Sequence, residues 1–170
     1  MDFFQNIEQG TARIEGTGLM TIRRPYGFSV VLDANTRIHT LTGEPSVQVH
    51  HFRAEEYVMY SGQMTVYRGV MKDGDEEAII ASMEPTELRP GDRVVIPAGT
   101  PHLPVNYNPE LAVFIEISHG PYEESDILRI YDKLGRDPEV RERWEKLGYK
   151  TGVSIVDLIR EAQRRPRKQQ

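Results

Sequence analysis

Apolar residues in the first 120 positions come in short runs, and each run is closed by a turn. Segments 27–32, 46–50, 57–60, 64–67, 94–96 and 111–117 are rich in β-branched and aromatic residues, side chains that suit a pleated, half-buried surface. Between them stand Ser61-Gly62, Asp73-Gly74, Pro90-Gly91 and Asn106-Tyr-Asn-Pro109, turn formers that supply a positive or a fixed φ. Many short strands with close turns predict an all-β sandwich or barrel, not βαβ units. From Ser125 the apolar period lengthens toward 3.6. Asp137-Pro138-Glu139 reads as a helix start, with a capping aspartate, a proline in the first turn and an acid at the positive end of the dipole. Val140, Trp144 and Leu147 then share one stripe, and Gly148 fits the left-handed stop. A second helix is expected from Ser154, paired with Asp157, carrying Ile155, Leu158, Ile159 and Ala162 on one face. Two helices this short form no core of their own, so they must pack on the barrel or on a partner subunit. The expected organisation is a barrel over roughly residues 12–120, inside a unit spanning 1–136. A helical extension, 137–170, follows and is not an independent domain.

Composition narrows the class. The chain has 170 residues, enough to bury roughly 70% of its unfolded surface without disulfides or a structural metal. It has no cysteine, which excludes thiol nucleophiles, Cys-ligated zinc and iron–sulfur clusters. Asp+Glu number 26 against 21 Lys+Arg, and that balance argues against nucleic acid as a partner. The basic tail, 164–170, is read as a solvated end. No apolar run is long enough for a membrane span, and the first residues lack the basic and apolar regions of a signal peptide. The expectation is a cytoplasmic protein with no membrane partner.

Two segments carry chemistry. Gly91-Asp-Arg-Val-Val-Ile-Pro97-Ala-Gly99-Thr-Pro-His102-Leu-Pro-Val-Asn106 has the pattern G-x5-P-x-G-x2-H-x3-N. Gly91 turns the chain into a strand, Pro97 and Gly99 end it, and His102 projects from a rigid turn. In the other segment, Gln48-Val-His50-His51-Phe-Arg53-Ala-Glu55-Glu56, strand alternation puts Gln48 and His50 on one face and His51 on the other. Glu55 can return to the His50 side from the next strand. Imidazole nitrogens with a carboxylate suit a divalent Zn, Mn, Fe or Ni ion with open positions.

Together the two segments resemble the paired motifs of the cupin superfamily, whose first motif is G-x5-H-x-H-x3–4-E-x6-G. Gln48 takes the place of the first His, His50 the second, Glu55 the Glu and Gly62 the final Gly. Gly43 lies one residue nearer than the usual opening Gly, and the second motif is matched at every fixed position. A closer resemblance, to the type II mannose-6-phosphate isomerase cupin domain, runs through Arg24-Pro-Tyr-Gly27, 48–55, 96–102, Ile115-Glu-Ile-Ser-His-Gly120 and 126–136. In that family the domain often follows a nucleotidyltransferase. The sequence departs from the family's pattern at Glu56 and Tyr57, where His and Trp are usual.

The resemblance implies a jelly-roll barrel with a metal held by Gln48, His50, Glu55 and His102. His51 is the fallback if the strand register slips by one. It implies a metal-dependent aldose–ketose isomerase acting on a sugar or sugar phosphate of the mannose-6-phosphate kind. Such a reaction needs a base beside the carbon. Glu116, opposite in parity to Leu111, Val113, Ile115 and Ile117, is the first candidate and Glu56 the second. Arg53, Arg129 and Lys133 are the candidates to hold a phosphate. His39 and His119 have no spacing argument behind them. Alternatives are a non-catalytic carbohydrate- or small-ligand-binding cupin and a metal-dependent dioxygenase or epimerase. A homodimer is expected, because barrels of this size leave strand edges for a second copy to cover.

Overall fold

The computed structural model describes residues 10–13, 19–121, 123–150 and 152–165. The signal-peptide expectation and most of the basic tail fall on residues outside these. Twelve strands run in the order β1 (Gly10–Arg13), β2 (Met20–Arg24), β3 (Gly27–Val31), β4 (Thr36–Leu41), β5 (Ser46–His50), β6 (Ala54–Ser61), β7 (Met64–Arg68), β8 (Glu84–Leu88), β9 (Arg93–Ile96), β10 (His102–Val105), β11 (Ala112–His119) and β12 (Ile127–Asp132). Helix α1 (Glu76–Ala81) interrupts them, and α2 (Pro138–Lys146) and α3 (Ile155–Arg164) follow. The strands form two antiparallel sheets, β1-β2-β3-β4-β11-β6-β9 and β12-β5-β10-β7-β8. This is the all-β jelly roll with a short C-terminal helical extension.

Each sheet reads its face from strand alternation. On β5, Val47 and Val49 are fully buried toward the helices, and Ser46 and His50 are buried on the other side. The space between the sheets is divided. Tyr57, Met59, Met64, Val66, Ile96 and Phe114 fill one part of it as an apolar cluster. The other part is polar and holds a cavity of about 150 Å³. β10 meets β5 at one register pair, His102 with Gln48. Pro104, two residues on, has no N–H to extend that ladder, and it lines the cavity.

Outside the smaller sheet the helices build a second apolar layer. Trp144, Ile155 and Leu158 pack with Val47, Val49, Leu103 and Ile130. Asp137 caps α2 by accepting from the Glu139 and Val140 amides, and Ser154 caps α3 by accepting from the Asp157 amide. Glu44, buried beneath, accepts from the Ile155 amide at 3.0 Å and from the Tyr107 hydroxyl and forms an ion pair with Lys133 Nζ at 3.3 Å, tying α3 to the barrel. Among the described residues no helix is long and apolar enough to cross a membrane.

Two points differ from the sequence reading. The stretch after Ser125 does not turn helical at once. Ile127–Asp132 is strand β12, antiparallel to β5, so the barrel extends past residue 120. The segment between β7 and β8 holds a helix, α1, capped by Asp75.

Glycine is required where strands close tightly. Gly62 ends β6 with φ +71°, and a Cβ there would lie 2.4 Å from the Leu111 carbonyl oxygen. Any side chain would push β11 away from its neighbour.

Candidate functional site

His50 ends β5, Glu55 is the second residue of β6 and His102 opens β10. Adjacent register and inward parity bring them together, and all three are almost fully buried. His50 Nε2 lies 3.0 Å from Glu55 Oε1, and His102 Nε2 lies 3.2 Å from Glu55 Oε2. One ligand atom from each residue lies within 4.8 Å of the others. Tyr57 donates its hydroxyl to Glu55 Oε2 at 2.8 Å. Arg53 Nε donates to Glu55 Oε1 at 3.1 Å, and Arg53 Nη2 lies 3.2 Å from His50 Nε2.

The protonation pattern suits a cation. His102 Nδ1 donates to the Thr100 carbonyl at 2.9 Å, which leaves Nε2 as the position where a proton or a metal must compete. His102 Nε2 and His50 Nδ1 are buried without an aligned hydrogen-bond partner. Burial pushes the Glu55 carboxyl up, but hydrogen bonds and charge from His102 and His50 outweigh it and hold the carboxyl well below its usual range. Burial pushes His102 down, and the Glu55 carboxylate more than reverses this, leaving the imidazole raised. Burial and the neighbouring Glu55 push the Tyr57 phenol up, so it stays a donor. Two imidazoles, a carboxylate and an orphaned nitrogen fit a divalent ion.

Gln48 stands directly across from His102 and lines the cavity. His51 is exposed, and its amide donates to Asp126 Oδ1 at 2.8 Å; the register has not slipped toward it. Glu116 lies inside the barrel on β11, a central strand of the larger sheet, with Oε2 3.1 Å from His39 Nε2. Glu56 points to the opposite face from Glu55 and pairs with Arg93 and with His119 at 3.4 Å. Glu56 is thus not among the residues lining the cavity.

The anion-binding candidates also redistribute. Arg129 pairs with Gln48 in register and lines the cavity. Arg53 is consumed by the His50–Glu55 pair, and Lys133 is held by Glu44 away from the cavity lining. Two arginines outside the sequence candidates also line the cavity. Arg24 lines the cavity and donates to Ser29 Oγ at 3.1 Å. Arg136 also lines it, gripped by both Asp132 oxygens at 2.9 and 3.0 Å and lying 5.3 Å from the Tyr26 ring centre. Both arginines lay inside segments quoted for the family resemblance, and that was the signal available. Ser29 and His39, which face the cavity beside Glu116, had no such signal.

No family model matches the chain. Over 135 residues, 75% of the chain, it is 30% identical to the xanthan biosynthesis protein XanB of Xanthomonas campestris pv. campestris, 26% of which is covered. Over 122 residues, 68% of the chain, it is 32% identical to the mannose-1-phosphate guanylyltransferase of Escherichia coli, 23% of which is covered. The chain thus spans about a quarter of the length of the curated relatives it matches. Among solved structures it is similar to a single-substitution variant of the oxalate decarboxylase of B. subtilis, with TM-score 0.52, 18% identity, 85% of this chain and 38% of that one. It is also similar to the Drosophila melanogaster CENP-C cupin domain, with TM-score 0.50, 14% identity, 59% of this chain and 70% of that one.

Proposed function

The chain has the cupin fold, and from that premise we propose that it is a metal-dependent isomerase of a sugar phosphate, interconverting an aldose and a ketose of the mannose-6-phosphate kind. One observation carries the reading: the buried His50–Glu55–His102 cluster meets, through Glu55, a cavity whose lining also holds Gln48, Glu116 and the arginines Arg24, Arg53, Arg129 and Arg136. The names of the curated relatives, XanB and a mannose-1-phosphate enzyme, support a substrate from the same chemistry.

His50, Glu55 and His102 would hold the ion, with Gln48 beside them as a neutral fourth donor. A divalent ion there supplies positive charge beside the sugar's carbonyl oxygen. The remaining work falls to side chains. Arg24, Arg129 and Arg136 bind the phosphate, since guanidinium forks match its oxygens. Glu116 takes the proton from C2 of the open-chain aldose and returns it to C1, while a second proton passes between O1 and O2. Arg24, Arg129 and Arg136 in the cavity lining favour an anionic ligand over a neutral sugar.

The test is metal analysis of the purified protein, followed by assay against aldose and ketose phosphates and the same sugars without phosphate. Turnover confined to phosphorylated sugars is expected. Metal with no turnover of any sugar overturns the isomerase reading. A second reading, a non-catalytic carbohydrate-binding cupin, draws on Arg53, whose guanidinium already sits against both His50 and Glu55. Sugar binding in metal-free protein would favour it. We also propose a homodimer. Val30, Ile38, Val58 and Ile115 share the outward face of the larger sheet, beside exposed Tyr60 and Val95. Sedimentation as monomer alone at micromolar concentration would refute it.

A further inference from the structure

We infer that His39 is the positioning residue for the base, one link in a directional chain from Arg24 through Ser29 and His39 to Glu116. This rests on the reading of Glu116 as the base. Ser29 and His39 stand opposite one another on β3 and β4, and Phe114 stands opposite His39 on β11, one inward position before Glu116. Both ring nitrogens of His39 have neighbours: Ser29 Oγ at 2.8 Å from Nδ1, and Glu116 Oε2 at 3.1 Å from Nε2. Nε2 is buried without an aligned hydrogen bond, and Glu116 Oε2 lies within ion-pair distance of it. An ionised carboxylate only accepts, so the imidazole proton belongs on Nε2 and Nδ1 accepts from the serine hydroxyl. Ser29 Oγ in turn accepts from Arg24 Nη1 at 3.1 Å. The His39 ring also stacks on Phe114, with centroids 5.1 Å apart and planes 20° from parallel, which fixes its orientation.

Sheet packing does not call for this chain. On the same inward face Leu41, Ala112 and Phe114 fill their positions with apolar groups, and buried polar groups are costly without partners. The chemistry does call for it. A carboxylate beside four arginines would swing to pair with one of them and lose its reach to a substrate carbon. Glu116 Oε2 instead lies 3.1 Å from His39 Nε2, while Oε1 stays 4.0 Å from Arg37 Nη1, beyond hydrogen-bond distance. Oε1 is the oxygen left to accept a proton. His39 thus acts through Glu116.

The test compares native protein with H39F, H39Q and E116L, using an aldose phosphate as substrate. H39F should lower kcat roughly 100-fold with KM within about threefold and metal content unchanged. H39Q keeps an amide N–H in reach of Glu116, so it should recover part of kcat. Independently of turnover, NMR should show a slowly exchanging His39 Nε2–H in native protein that is lost in E116L, which has no acceptor. H39F with native kcat overturns the inference, and so does an Nε2–H signal that E116L leaves unchanged. If native protein turns over no sugar phosphate, the isomerase reading fails, and the two NMR spectra alone decide whether His39 positions Glu116.

Discussion

On strand β5, Val47 and Val49 face one way and Ser46, Gln48 and His50 the other. The first pair lies under Trp144, Ile155 and Leu158 in an apolar layer. In the second group, Ser46 and Gln48 line a cavity shared by carboxylates, an imidazole and arginines, and His50 joins Glu55 at its edge. One sheet therefore divides two kinds of order. The outer side is held by close packing, where lost volume costs stability directly. The inner side is held by mutual neutralisation of polar groups, where removing one partner changes chemistry more than fold. Damage to the two sides should be separable.

The largest effect is expected outside. Trp144→Ala empties a fully buried site and removes the bond from Nε1 to the Ile130 carbonyl. It should cost about 3–5 kcal/mol, lowering the thermal midpoint by roughly 10 °C or more, with metal content unchanged below the transition. Loss of metal without loss of stability would break the proposed separation. Next is His102→Ala inside. It should weaken metal binding at least ~100-fold and leave the circular dichroism spectrum in place. Full metal occupancy in this variant would remove the metal assignment.

A smaller effect is expected at the arginines. Arg136→Ala should raise KM for a sugar phosphate about tenfold, the loss of one charge-assisted contact. Lys133→Ala should leave KM unchanged, because its partner is Glu44. A KM effect at Lys133 alone would reverse that assignment. The smallest effect is a pH dependence of metal-free stability. His102 is raised from 6.5, so its pairing stabilises fully below that value and fades as pH rises through the raised one. Glu55 is lowered from 4.5, so its contribution holds above that value and is lost as pH falls through the lowered one. In chelator-treated protein, the stability advantage of native over H102A should be greater at pH 6 than at pH 8. An advantage that does not vary with pH would show that the His102–Glu55 pair contributes nothing to the metal-free fold.

The amino-acid sequence alone determined features whose causes are local. Asp137-Pro138 and Ser154 start helices because caps act within three residues, and Val140 and Trp144 mark the buried stripe by spacing alone. Gln48 and His50 share a face because a strand alternates. The same logic failed at Ile127–Asp132, whose apolar spacing fits either period and which became a strand by pairing with β5. One step of parity also separates Glu55, on the cavity side, from Glu56, which pairs with Arg93 and His119 on the other face. Tertiary structure decided what no spacing records. It placed Arg24 and Arg136 in the cavity lining and Lys133 against Glu44, and it set Ser29, His39 and Glu116 side by side from three separate strands. The physical reason is register. Which side chains meet across a sheet depends on how strands distant in the chain align, and that alignment is settled by the packing of the whole barrel.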